Sequence, residues 1–385
     1  MTAIAATWGK VATDATLVEP VEVREAVRAD NEQLVALTSA CPMRGDIALR
    51  MDRGPDFFAL HRLEGDRSHL GVVERAGKVV GCISVSERQV YLNGRRSSTG
   101  YVGDLKVHPQ HRDTATADAL CLYATARCRE LPVGSPTLVT VLAGNNAMER
   151  RLSGPRGLPC FQKLTTIRAY SISILWNRRL RDLAGMTVER AQLRDLDAMA
   201  SLWQATAPKR QFAPVLDSAS MARFIETSPG LQISSYLIAR SRNGQLLGFL
   251  ALWDQSAIKQ MYVESYSTRL SVVKKCFNAV APIIGSERLP ESGEPLRHQT
   301  VFQVCVPQDR PDVLRSLLVT AHNDLRNSRC SFFNLGLDVR DSLCCGTDGL
   351  LGQPTDVNAY VTYTSNPGHI SKLQGLPLHY EIALV

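Results

Sequence analysis

YVGDLKVHPQHRDTATADALCLYA (101–124) decides the reading of this chain. Residues 101–107 read as an apolar strand, and Pro109 stops it because proline has no N–H to give to a ladder. Arg112 follows in the turn, and then a helix opens. Over 114–129, Ala117, Leu120, Cys121, Ala124 and Cys128 recur along one helical face. The first N–H groups of a helix are unpaired and carry partial positive charge, so phosphate is favoured there. A strand end that parts from its neighbour offers backbone groups to an extended, amide-containing ligand.

Outward from this stretch, strand and helix signals alternate. VEVREAV (21–27) is a short strand pattern, and Asp30 is placed to cap a helix carrying Leu34, Val35 and Leu37. PDFFALHRL (55–63) reads as a second helix with Pro at its start. LGVVER (70–75) and KVVGCISVSE (78–87) read as a strand hairpin turned at Ala76-Gly77. TLVTVLA (137–143) is a strand, 146–152 a short helix, and TTIRAYSISIL (165–175) a closing strand. The order is β-α-α-β-β-β-α-β-α-β, an α/β (α+β mixed) pattern with helices against a mixed sheet.

At 176–186 charge and Gly interrupt the pattern, and the order then restarts. VERAQLRDLDAMASLW (188–203) lies over VREAVRADNEQLVALT (23–38), which places Asp195 on Asp30. NGQLLGFLALW (243–253) follows AGKVVGCISVS (76–86), and VPQDR (306–310) follows HPQHR (108–112). Three matches in one order indicate a duplication, with an insertion near 283–297 in the second copy. The expected organisation is an arm at 1–20, one unit at 21–178, a linker at 179–186 and a second, degenerate unit at 187–385. The apolar end PLHYEIALV (377–385) is expected to join a sheet.

With 385 residues, 44% hydrophobic and 21% charged, the chain has the composition of a folded two-domain protein. No apolar run is long enough to span a bilayer. The first twenty residues have no positively charged start and no long apolar block, so a secretory leader is not expected. The ten cysteines include no CxxC pair, which argues against a zinc or dithiol redox site; reduced thiols in a cytoplasmic protein are expected. His322, His369 and His379 have no metal-ligand spacing. The net charge of +7 is scattered, with no basic block of the sort that reads nucleic acid, yet it favours an acidic partner.

The 101–124 segment resembles the central motif of the GNAT acyltransferase superfamily, V-x-P-x-x-R-G-x-G-x-A, through Val107, Pro109, Arg112, Asp113, Ala115 and Ala117. The resemblance implies two tandem GNAT-like domains and acetyl-CoA or a longer acyl-CoA as acyl donor, with no metal. It implies pantetheine along Asp104, Leu105, Lys106 and Val107, and pyrophosphate over Arg112, Asp113, Thr114, Ala115, Thr116 and Ala117. Asn145 or Asn146 matches the asparagine that contacts pantetheine in relatives. Both loop glycines are replaced, by Asp113 and Ala115; Thr114 and Thr116 offer hydroxyl donors instead.

The family commonly moves a proton off an amine and returns one to the leaving thiolate. Asp104 is the candidate base, a part-buried carboxylate whose pKa would then be raised; the alternative is an Asp that pairs with Lys106 or an arginine. Leu152 stands where the family often has an acidic Tyr, and Tyr101 and Tyr123 are read as structural. Asp46, Asp52 and Asp56 sit in charged loops where such folds place an acceptor. The function expected is transfer of an acyl group from a pantetheine thioester to a small-molecule or peptide amine. The thioester sits on CoA or, given the altered loop and the basic charge, on an acyl carrier protein. The alternative is a non-catalytic GNAT-fold binding or scaffold protein.

Overall fold

The computed structural model describes residues 21–112, 114–154, 157–178, 185–326, 328–363, 373 and 375–385. The arm at 1–20, Asp113, His369 and most of the linker fall outside them.

The first half contains β1 (Val23–Glu25), α1 (Asn31–Ser39), β2 (Ile47–Asp52), α2 (Phe58–His61), β3 (Arg67–Arg75), β4 (Lys78–Leu92) and β5 (Arg95–Val107). It continues with α3 (Thr114–Arg129), β6 (Pro136–Leu142), α4 (Asn146–Leu152) and β7 (Gln162–Ser173). The second half contains β8 (Met186–Arg190), α5 (Leu196–Thr206), β9 (Ala213–Pro214), α6 (Ser218–Thr227), β10 (Tyr236–Ser241) and β11 (Leu246–Trp253). Then come β12 (Gln260–Tyr266), α7 (Thr268–Ile284), β13 (His298–Cys305), α8 (Pro311–Leu325), β14 (Phe332–Asp338) and β15 (Gly352–Tyr363). No described helix is long and apolar enough to cross a membrane.

One mixed sheet runs β1-β3-β4-β5-β6-β15-β7-β14-β13-β11-β10-β8, with β9 added on β4. Read inward from either edge, the order repeats. An antiparallel run ends in a parallel pair, β5 with β6 on one side and β13 with β14 on the other. Between these pairs lie β15 and β7, hydrogen-bonded to each other. Each is inserted next to the other half's last parallel strand, β15 on β6 and β7 on β14. The sheet is therefore continuous across 176–186, where the sequence reading places a break.

The repeat extends to single bonds. Asp30 accepts from the Val27 N–H at 2.8 Å and from Arg24. Asp195 accepts from the Gln192 N–H at 2.8 Å and from Arg240. Both aspartates thus close a 3-10 turn before the helix, and neither caps the helix with its side chain, contrary to the expectation for Asp30. Gly81 and Gly248 also correspond. A Cβ on Gly81 would lie 3.0 Å from Leu120 of α3, and one on Gly248 2.9 Å from Val313 of α8, so each helix packs close on its sheet. Leu120 of α3 and Leu314, Leu317 and Ala321 of α8 are fully buried in these seams.

Three boundaries differ from the sequence reading. The 55–63 helix shrinks to the single turn of α2. β4 and β5 run on to a tight turn at Asn93-Gly94, both at positive φ, 50° and 78°, the geometry that suits right-handed strand twist. The second half replaces that two-residue turn with β12, α7 and a long loop, so its insertion is 254–297 rather than 283–297. The insertion docks on the first half: β12 pairs with β2, and the Ser267 N–H donates to the Asp46 carbonyl at 2.8 Å.

Candidate active site

β5 and β6 are joined only at Gly100–Val102 against Thr137–Val139, and beyond that both strands continue apart, to Val107 and Leu142. A bulge causes the parting: Asp104 and Leu105 together oppose the single Ile83 of β4, and Asp104 takes φ 51°. Tyr101 lies at the base of this fork, its hydroxyl 2.8 Å from Thr140 Oγ1. Thiols brace the outer side of β5, with Cys82 donating to the Asp104 carbonyl at 3.3 Å and Cys41 to that of Val107 at 3.4 Å.

β13 and β14 make the same fork, joined over His298–Thr300 and bulged at Gln303, φ 49°. Here the chain's own end enters. The Gln303 N–H donates to Glu381 Oε2 at 3.1 Å, and the Leu378 N–H to Asp338 Oδ2 at 2.7 Å. The Tyr380 ring sits so close to Gly336 that a Cβ there would meet it at 2.6 Å. Residues 377–385 were expected as a sheet strand; they instead form a plug ending in a 3-10 turn, Ile382–Leu384.

The carboxylate of Asp104 is clamped between two cations. Arg53 Nη1 donates to it at 2.5 Å, and Lys106 Nζ donates to its other oxygen. Arg53 is 2% exposed, stacks on Phe57 at 4.1 Å and donates to the Phe57 carbonyl at 2.9 Å. Burial alone would raise the Asp104 pKa, but the two cations outweigh it and hold the carboxyl well below the usual range. The raised value expected of a base is therefore not found. Lys259, arriving from the second half, is 8% exposed and donates to the main-chain oxygens of Ala383 and Val385 at 2.9 and 3.1 Å. Burial pushes its pKa down to about 8.

On the phosphate side, Arg112 is exposed and its Nε donates to the Val107 carbonyl at 3.2 Å, so it sits at the fork mouth. Asp113 and the side chain of Thr114 are outside the described residues, and Ala115 is part-buried. Thr116 is fully buried with its hydroxyl accepting from Arg75 at 3.0 Å, which turns it to the sheet rather than to the loop; Ala117 is buried. Leu105 and Val107 are part-buried against the same seam. Asn145 caps α4, accepting from the Met148 N–H at 3.2 Å, and Asn146 opens that helix, exposed.

Residues 32–151 match the model of the Acetyltransferase (GNAT) family. That segment holds α1 through most of α4, including the open fork. The whole chain superposes on Saccharomyces cerevisiae N-myristoyltransferase with bound myristoyl-CoA at TM-score 0.59 and 12% identity, over 90% of this chain and 83% of that one. It superposes on a GCN5-related N-acetyltransferase from Sphaerobacter thermophilus at TM-score 0.55 and 13% identity, over 90% of this chain and 96% of that one. At such identity these likenesses show the fold. No curated protein sequence matches.

Beneath the GNAT fork lies a cavity of about 320 Å³ between the two halves. Tyr101, Thr99 and Leu138 form its roof at the fork base, and Phe302, Gln303 and Leu384 come from the second half. Glu64 and Arg88 line it as well. The acidic loop residues face elsewhere: Asp52 accepts from the Gly54 N–H at 2.8 Å, and Asp56 pairs with Arg28 and Arg62. Sequence reasoning missed Arg53 and Lys259, which meet residues distant in the chain, and Glu64 and Arg88, which reach the cavity wall only through the packing of the two halves.

Proposed function

We propose that this protein is an N-acyltransferase that moves an acyl group from a pantetheine thioester to an amine. The observation that carries the reading is that one of two equivalent forks is filled by residues 377–385, whereas among the described residues none fills the fork between β5 and β6. An extended pantetheine arm fits along Asp104–Val107, where the edge of β5 facing β6 has lost its ladder partners. Its amides take the place of those missing bonds, with Asn145 and Asn146 on the far wall. The phosphate end then lies over Arg112–Ala117 at the N-terminus of α3, and the acyl carbon points to Tyr101 and the cavity.

Attack by the amine puts negative charge on the thioester oxygen, and the bulge frees backbone N–H groups to stabilise it. Alignment of amine and carbonyl supplies much of the remaining rate. Asp104 serves as a positioning residue in this scheme: ionised throughout, it fixes Arg53 and Lys106 along the channel.

The donor is acetyl-CoA or a longer acyl-CoA, a class supported by the myristoyl-CoA held in the yeast neighbour. A carrier-protein thioester uses the same channel with a single phosphate. The two halves are read as a catalytic unit at 21–178 and a closed copy at 187–385 that completes the cavity. Incubating the purified chain with acyl-CoAs of several lengths and a pool of amines and peptides, with mass detection of product and free thiol, tests the reading. Amide formation is expected; absence of both donor binding and turnover would favour a non-catalytic binding protein.

A further inference from the structure

We propose, resting on the acyl-transfer reading, that the cavity under the fork is an acceptor site built for a free amino acid with an apolar side chain. Glu64 takes the ammonium group and Arg88 the carboxylate. Two opposite charges on the cavity wall, each with hydrogen-bonding capacity to spare, carry this assignment. Glu64 is 5% exposed, yet its Oε2 makes no hydrogen bond; the His61 Nδ1 atom is 3.5 Å away without hydrogen-bonding geometry. Arg88 projects from β4, lies over the Tyr101 ring at 4.2 Å and gives Nε to Ser86 Oγ at 3.2 Å, but its buried Nη2 has no partner. Both residues line the cavity, and although Glu64 Oε2 and Arg88 Nη2 are themselves sealed from solvent, a ligand in that space can meet the polar atoms of the same two groups that face it, which offsets part of the cost of holding charge there.

The other charges near the wall are already matched or lie toward solvent. Glu381 is taken by His379 at 2.6 Å and by the Gln303 N–H, and Arg62 is taken by Asp56 at 2.8 Å. Asp66 and Arg223 are surface groups. Glu64 and Arg88 act on one another electrostatically but share no hydrogen bond, so a molecule with both signs of charge can bridge them. Val90, Phe212, Leu216, Phe302 and Leu384 give the same space an apolar side, beside polar groups such as Thr99, Gln303 and Tyr380. A cavity of about 320 Å³ accepts a molecule the size of leucine or phenylalanine.

The chemistry closes on these groups. The ammonium gives one proton to the Glu64 carboxylate, and the neutral nitrogen attacks the thioester carbon at the fork base. The C–N bond forms and the C–S bond breaks, the nitrogen's second proton goes to the leaving thiolate, and Glu64 returns its proton to solvent. The products are an N-acyl amino acid and a free thiol.

Isothermal titration of the full chain with L-leucine, L-phenylalanine, leucinamide and 4-methylpentanoate tests this, alongside acetyl-CoA in the same preparation. The wild type is expected to bind leucine or phenylalanine at least tenfold more tightly than either single-headed analogue. Arg88→Gln is expected to abolish the preference over leucinamide, and Glu64→Gln the preference over 4-methylpentanoate. Melting temperatures of the variants report that they are folded, and the analogue series on the wild type stands without them. Equal binding of leucine and leucinamide by the wild type overturns the assignment. So does binding of acetyl-CoA with no binding of either amino acid at millimolar concentration, an outcome that leaves acyl transfer itself intact. Failure of acetyl-CoA binding and of turnover instead sinks the acyl-transfer reading, while the amino-acid titration still decides the cavity.

Discussion

Asp104 and Gln303 hold the same left-handed backbone, φ 51° and 49°, at the bulges where β5 and β13 turn away from their parallel neighbours. A side chain other than glycine in this region costs on the order of 1 kcal/mol and persists only where its surroundings impose it. At Asp104 the carboxylate is bound by Arg53 and Lys106 beside an open fork. At Gln303 the backbone N–H is taken by Glu381 and the fork is filled. One piece of architecture thus gives a channel in the first half and a seat for the chain's end in the second, which argues for a single reaction centre served by both halves.

Replacing Asp104 by Asn strands two cations, one of them almost fully buried. Losing one partner of a buried ion pair costs about 3 kcal/mol, so chemical denaturation should show a loss of that order. Because the folded carboxyl titrates below its unfolded counterpart, its contribution is present above the unfolded value near pH 4 and fades as pH falls below it. The variant should therefore lose less stability than the wild type on acidification below about pH 4. If Asp104 were the base, the substitution would instead remove the acidic limb of the pH–rate profile near neutrality; that limb is expected to survive.

Gly336 is the position at which the second fork admits Tyr380. An alanine Cβ would sit 2.6 Å from the ring, closer than packing tolerates. Gly336→Ala should push the 377–385 plug outward and destabilise the protein by about 1–3 kcal/mol, as overpacked cores do. Faster proteolysis at the tail, seen by mass analysis, is the expected companion. An unchanged melting temperature and an intact tail would mean the plug yields freely.

The parts legible in the sequence are those set by local rules. The amphipathic run at 114–129 and the cap at Asn145 give α3 and α4 with the expected bounds, since periodicity and capping act within a few residues. The Asn93-Gly94 turn is locally encoded too, by a pair that tolerates positive φ, but the strand pattern read from the sequence ends at residue 87 and passes over it. The tail was not legible as a plug. Its apolar residues are buried either in a sheet or in a fork, and hydrophobicity does not distinguish the two. Arg53 meets Asp104 across 51 positions of sequence, and Lys259 reaches the site only because β12 pairs with β2. No spacing rule spans such distances, so the ion cluster emerges only from the topology.

Arg112 offers a test of the donor end. It is exposed at the fork mouth and, among the described residues, makes one bond, to the Val107 carbonyl. Arg112→Ala should leave the melting temperature nearly unchanged. It should weaken acetyl-CoA binding about fivefold in calorimetry, the effect of losing roughly 1 kcal/mol of a solvent-exposed charge contact. An unaltered dissociation constant would place the phosphates elsewhere.

Lys259 makes the sharpest pH prediction. Its ammonium is buried, repelled by Arg53 and Lys106 and attracted by Asp104 and Glu64; burial weighs most, and its pKa near 8 lies below the ordinary lysine value of 10.5. The unfolded chain therefore binds more protons than the folded one between those values, so this residue's cost is full below pH 8 and is relieved as pH rises toward 10.5. A gap of that size corresponds to roughly 3 kcal/mol. Lys259→Met keeps the stem's volume and removes the charge. Its stability advantage over the wild type, measured by denaturant unfolding, should be greatest at pH 7 and should shrink by that amount by pH 10. A difference between the two proteins that stays constant across the window would show that Lys259 remains protonated in the fold, held by the main-chain oxygens of Ala383 and Val385 more firmly than its burial opposes.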